Sequence, residues 1–81
     1  MNYTPALAAE VRAELGRQQV GVGSLASHLG IHRTKLYRRL HGIRPFDSDE
    51  LARIGALLGV PASELIRRAE QVVAETEGPA A

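Results

Sequence analysis

Residues 23–42 read GSLASHLGIHRTKLYRRLHG, and the fold turns on how this stretch is parsed. Leu25, Ala26 and Leu29 share one helical face, and Ala26 is small enough to let a second helix approach. Leu36 and Leu40 make a second short apolar line, within about 40° of each other at 100° per residue. The spacing predicts two short helices, one from about Gly23 or Ser24 to Leu29 and one from about Arg33 to His41. Gly30 breaks them, because glycine just past a helix end takes the left-handed conformation without steric cost. Gly42 is the natural stop of the second. Opposite Leu36 and Leu40, that helix carries a dense set of hydrogen-bond donors: His32, Arg33, Thr34, Lys35, Tyr37, Arg38, Arg39 and His41.

The flanking sequence is patterned to pack behind this pair. A first helix is predicted from about Pro5 to Gln18, capped by Thr4, with Leu7, Ala8, Val11 and Leu15 facing a core. After the 42–45 loop, Asp47 and Glu50 stand at capping-box spacing, with Phe46 and Leu51 placed as a hydrophobic staple. The helix they begin is predicted over 48–58, with Leu51, Ile54, Leu57 and Leu58 buried. A fifth helix follows Pro61, over about 62–76, with Leu65, Ala69, Val72 and Val73 in one stripe and Ile66 beside it. Its distal half extends further than a small domain requires. Residues 1–77 are expected to form a single all-α domain of five helices, and 78–81 a disordered tail.

Composition narrows the function. The 81 residues hold no cysteine, so no disulfide framework, thiolate metal site or cysteine nucleophile is available. No apolar run is long enough to span a bilayer, and the N-terminus has no signal-peptide pattern. These features lead us to expect a cytoplasmic protein. The net charge of +1 conceals a strong asymmetry. Between Leu15 and Phe46 there are six basic residues (Arg17, Arg33, Lys35, Arg38, Arg39, Arg44) and no acid; the rest of the chain has four basic residues and nine acids. A basic middle between acidic ends suits a polyanionic partner such as a phosphate backbone. The duller reading is a solvated basic helix face.

Two short helices around a glycine turn, the second one cationic, outline a helix-turn-helix whose second helix enters the major groove of double-stranded DNA. The run Leu25-Ala26-x-x-Leu29-Gly30-Ile31, then Leu36, Leu40 and Gly42, then LARIGALLGVPASEL over 51–65, resembles the lambda-repressor/Cro (XRE-type) family over roughly residues 6–68. The resemblance implies a five-helix lambda-repressor-like fold and operator binding, usually as a dimer. It places base-edge contacts at Arg33, Thr34 and Arg38, with Tyr37 adjacent. It places phosphate contacts at Gly23 or Ser24, His41 and Arg44, with Lys35 and His32 as further candidates. The chain departs from the family at two of these positions. Val22 stands where many members have a phosphate-holding glutamine, and His32 stands where a serine or threonine usually caps the recognition helix. A charge pair that some members make between the first helix and the end of the third is matched here by Leu15 and Leu40.

Arginine donates bidentately to O6 and N7 of guanine, so Arg33 and Arg38 suit G·C pairs; Thr34 offers a methyl or a hydroxyl. Tyr37 either stacks on a sugar or lies at the core edge. Lys35 and Arg39 read as backbone contacts or solvated charge. His28, His32 and His41 make a poor metal set, because the turn breaks the only four-residue spacing and no acid is near. No catalytic group, cofactor or small-molecule site is expected. Ile66, Val72 and Val73 either complete the core or form a homodimer surface. The expected function is a sequence-specific transcriptional regulator, a phage or bacterial repressor. The alternative is a protein-interaction module, an antitoxin or adaptor, acting through the fifth helix.

Overall fold

In the computed structural model, which describes residues 2–76, the chain forms five helices and no strand among the described residues. They are α1 (Tyr3–Gln18), α2 (Val22–Leu29), α3 (Arg33–Leu40), α4 (Ser48–Leu58) and α5 (Ala62–Thr76). The class is all-α, as the helical periodicity predicts. The expected tail at 78–81 lies outside the described residues.

The starts of the helices follow side-chain chemistry. Asn2, not Thr4, caps α1: its Oδ1 accepts from the Thr4 N–H at 3.1 Å, so the helix opens at Tyr3, two residues before Pro5. Proline is harmless there, because the first four N–H groups of a helix have no intrahelical partner. α2 begins at Val22, one to two residues earlier than expected, after an extended Gly21 with no side-chain cap. α3 ends at Leu40, with His41 outside the helix as its C-cap. α4 carries the expected capping box: Asp47 Oδ1 accepts from Glu50 N at 2.7 Å, and Glu50 Oε1 accepts from Asp47 N at 3.0 Å.

The ends of the first four helices close alike. Val20, Ile31, Ile43 and Val60 donate their N–H groups back to the carbonyls of Leu15, Ala26, Arg38 and Gly55, at 2.9 to 3.1 Å. An apolar residue in this position normally packs on the last turn. Val20, Ile31 and Val60 do so against the core, while Ile43, whose carbonyl partner is the outward-facing Arg38, stays 63% exposed.

One core joins all five helices: Val11 and Leu15, Leu25, Ala26 and Leu29, Leu36 and Leu40, Phe46, Leu51, Ile54 and Leu58, and Leu65. Leu57 is not part of it; at 38% exposure it turns outward, one residue off the Leu51–Ile54–Leu58 line. Leu7 is only partly buried. α1 and α5 make the most extensive helix pair, and α3 rests on α1 and α2. Gly55 permits the turn into α5, since a Cβ there would stand 2.6 Å from the Val60 carbonyl oxygen.

A polar cluster locks α5 onto α1. The buried Glu14 carboxylate accepts from Arg68, Arg17 and Gln18 at 2.8, 2.8 and 2.9 Å, and Gln18 also donates to the Leu58 carbonyl at 2.7 Å. The Gln18 amide and then the Arg68 guanidinium hold the Glu14 carboxyl below the usual carboxylate range, against the opposing effect of burial. Arg67 and Arg68 together bring Glu64 down to about 2.

Candidate nucleic-acid interface

α3 is amphipathic to an unusual degree: Leu36 and Leu40 are buried, and every other residue of the helix except the half-buried Arg39 is exposed. With 100° per residue, Arg38 points about 180° away from the midline of Leu36 and Leu40. Thr34 and His41 lie within about 60° of Arg38 on one side, and Lys35 within about 60° on the other. Tyr37 is about 100° and Arg33 about 140° from Arg38. Thr34, Arg38 and Lys35 therefore form the outermost stripe, and Arg33 turns toward α2.

His32 sets the start of this helix. Its Nδ1 accepts from the Thr34 N–H at 3.1 Å, so the imidazole performs the capping that serine or threonine would otherwise perform. A ring nitrogen that accepts carries no proton, so the neutral ring has its proton on Nε2. His28 is separate, its Nε2 lying 3.3 Å from the Arg53 carbonyl oxygen. The loop after α3 is pinned from both sides. Arg44 N donates to the Arg38 carbonyl at 3.2 Å, and Gly42, at φ +71°, leaves only 3.0 Å between a would-be Cβ and Pro5 Cα. Arg12 of α1 donates to the Leu40 carbonyl, supplying a polar tie between α1 and α3 beside the buried Leu15 and Leu40.

These elements enclose two shallow depressions flanking α3. His32, Thr34, Lys35, Arg38, Arg39 and Arg44 line one. Gly23, Ser27, Gly30, His32 and Arg33 line much of the other. Ser24 is exposed on the first turn of α2. The structure thus brings Thr34, Lys35, Arg38 and Arg44 together with His32. It leaves Arg33 and Ser24 on the α2 side. Tyr37 is 56% exposed, not at the core edge, and its ring lies 4.1 Å from the His41 ring, tilted by 34°.

Arg39 has a different role from the two expected of it. Its Nε donates to Glu50 Oε1 at 2.8 Å, with only 16% and 9% of the two side chains exposed. It is neither a solvated charge nor free to reach outward; it fastens α3 to the capping box of α4. The spacing of eleven residues across a loop gave no sign of this pairing. On α5, Val73 is buried while Ile66 and Val72 are 41% and 40% exposed. Six residues apart, the exposed pair point about 120° away from each other and make no single apolar face.

The cations divide sharply. Arg17, Arg39, Arg53, Arg67 and Arg68 are ion-paired, and Arg12 is bonded to a carbonyl. The side chains of Arg33, Lys35, Arg38 and Arg44 have no partner among the described residues. All four belong to α3 and the loop that follows it. No protein-family model matches the chain, and no match was found among curated proteins or solved structures. No helix among the described residues is long and apolar enough to cross a membrane.

Proposed function

We propose that this chain is a sequence-specific regulator of transcription that binds double-stranded DNA, built as a lambda-repressor-like helix-turn-helix domain and acting as a phage or bacterial repressor. The observation that carries this reading is the separation of its cations: the four without a side-chain partner among the described residues all belong to α3 and its loop, while the others are occupied by carboxylates or a carbonyl. Exposed cations with no ion pair, gathered on one helix and the loop after it, are the footprint of a polyanion. In this reading α2 and α3 are the two helices of the motif, Gly30 its turn, and α3 the recognition helix in the major groove. Arg38 and Thr34, with Tyr37 beside them, meet base edges. Lys35, Arg44, His41, Ser24 and the Nε2–H of His32 meet phosphates. Occupying an operator in the cytoplasm excludes polymerase, and no catalytic step is involved.

Selection of bound sites from a random duplex pool, followed by titration at several salt concentrations, tests the reading. The expected result is an enriched consensus whose affinity falls steeply with salt. A palindromic consensus, with half-sites about 34 Å apart, would indicate a dimer. No enrichment, or binding indifferent to salt, overturns the proposal and favours a protein partner.

A further inference from the structure

Arg33 stands apart from the other cations of α3. It lies about 140° around the helix from Arg38 and about 100° from Thr34. Its guanidinium rests on α2 at Gly23: a Cβ built there would stand 3.4 Å from Nη2, 3.7 Å from Cζ and 3.8 Å from Nε. Three atoms at nearly equal distance mean that the flat face of the guanidinium covers the glycine. Its N–H donors point outward in the plane and have no acceptor among the described residues.

A helix with its side chains is about 10–12 Å across and the major groove about 12 Å wide, so the helix fills the groove. The side of α3 around Arg38 then faces the bases, and Arg33, the exposed residue of the helix turned furthest from it, faces a wall, which is sugar and phosphate. We infer that Arg33 is not a base reader but a backbone grip, seated on Gly23, that holds one DNA phosphate beside α2. This rests on the DNA-binding reading and refines it: base preference is left to Thr34, Tyr37 and Arg38. The planar fork matches a phosphate bidentately, and its seat fixes where that phosphate lies. Gly23 is part of the device. A methyl there just touches the guanidinium, whereas a larger side chain displaces it.

The test uses the full chain, its selected duplex and a panel of single base-pair substitutions of that duplex. Arg33→Ala is expected to weaken binding by roughly tenfold on every duplex alike, and to reduce the salt slope by about 0.9 per protomer. Gly23→Ala is expected to bind as the wild type does. Gly23→Leu is expected to lose about as much as Arg33→Ala, and to add little in its presence. Circular dichroism of each variant checks that the fold is intact; both positions lack buried side chains. If Arg33→Ala changes the preference at one base pair, Arg33 reads bases and the inference falls while the DNA-binding reading stands. An unchanged salt slope also overturns it. Failure of the wild-type chain to bind any duplex overturns both.

Discussion

Glu50→Gln examines the joint that holds α3 in place. Glu50 Oε1 accepts two bonds, from Arg39 Nε at 2.8 Å and from Asp47 N at 3.0 Å, and 9% of the side chain is exposed. Glutamine keeps the shape and an accepting oxygen but removes the charge. A hydrogen bond to a charged group contributes about 1.5–3 kcal/mol and a neutral one about 0.5–1.5 kcal/mol, so each bond weakens by about 1 kcal/mol. The two together give a loss of about 2 kcal/mol, with little relief from solvent because both side chains are largely buried. For a domain of this size, that lowers Tm by about 8–16 °C. Urea unfolding followed by circular dichroism measures the loss directly. Arg39→Met leaves the Glu50 charge without its cation and should be worse, by about 3 kcal/mol. The double variant should lose less than the sum of the singles, because each removes the same pair. A loss under about 0.5 kcal/mol for Glu50→Gln, or additive singles, would refute the latch. Below its own melting range, Arg39→Met should retain the salt slope and base preference of DNA binding, since the Arg39 guanidinium is engaged with Glu50.

The remaining predictions are shorter. Arg38→Ala should weaken the selected site by about 1–3 kcal/mol and relax the preference at one base pair, read by competition against single-substitution duplexes. Arg44→Ala should instead weaken all duplexes equally and lower the salt slope by about 0.9. Gly55→Ala forces a Cβ to within 2.6 Å of the Val60 carbonyl oxygen and should destabilise the domain, by about 1–3 kcal/mol on denaturant unfolding. Acid should unfold the protein in a defined window. Glu14 and Glu64 are depressed in the folded state, so their stabilisation is complete above the ordinary carboxylate range, near 4.5, and is lost as pH falls through their folded values, Glu64's being about 2. Unfolding midpoints measured from pH 6 to 2 should therefore decline, and Glu14→Gln should flatten that decline; an unaltered decline in the variant would show that Glu14 is not a source of it.

The helices were legible because their signals are local. The α4 capping box and the spans of α4 and α5 follow from Asp47, Glu50, Gly59 and Pro61, residues adjacent to the ends they determine. The α2–α3 turn follows from Gly30, which adopts φ +67°. Two expectations failed on near neighbours in sequence: Asn2 precedes Thr4 and caps first, and of the adjacent Leu57 and Leu58, both expected in the core, only Leu58 is buried. The pairings of side chains were not legible. Nothing in the spacing of Glu14, Gln18 and Arg68, or of Arg39 and Glu50, reveals which carboxylate reaches which cation. That depends on how α1 meets α5 and how α3 meets α4.

The pairings are what turn a basic segment into a directed surface. Counted along the chain, Arg17 and Arg39 belong to the acid-free stretch as much as Arg38 does. In space, Glu14 takes Arg17 and Glu50 takes Arg39, both carboxylates reaching in from outside the stretch. Arg12, in the acidic N-terminal part, is occupied by the Leu40 carbonyl. What remains is narrower than the composition suggests and better aimed. Lys35, Arg38 and Arg44 share one depression with the Nδ1-committed His32, and Arg33 stands on the other side over Gly23. Cations without a partner among the described residues, on both flanks of α3 and at its apex, are the distribution a helix needs if it is to be held by both walls of a groove while its outermost side chains meet the floor.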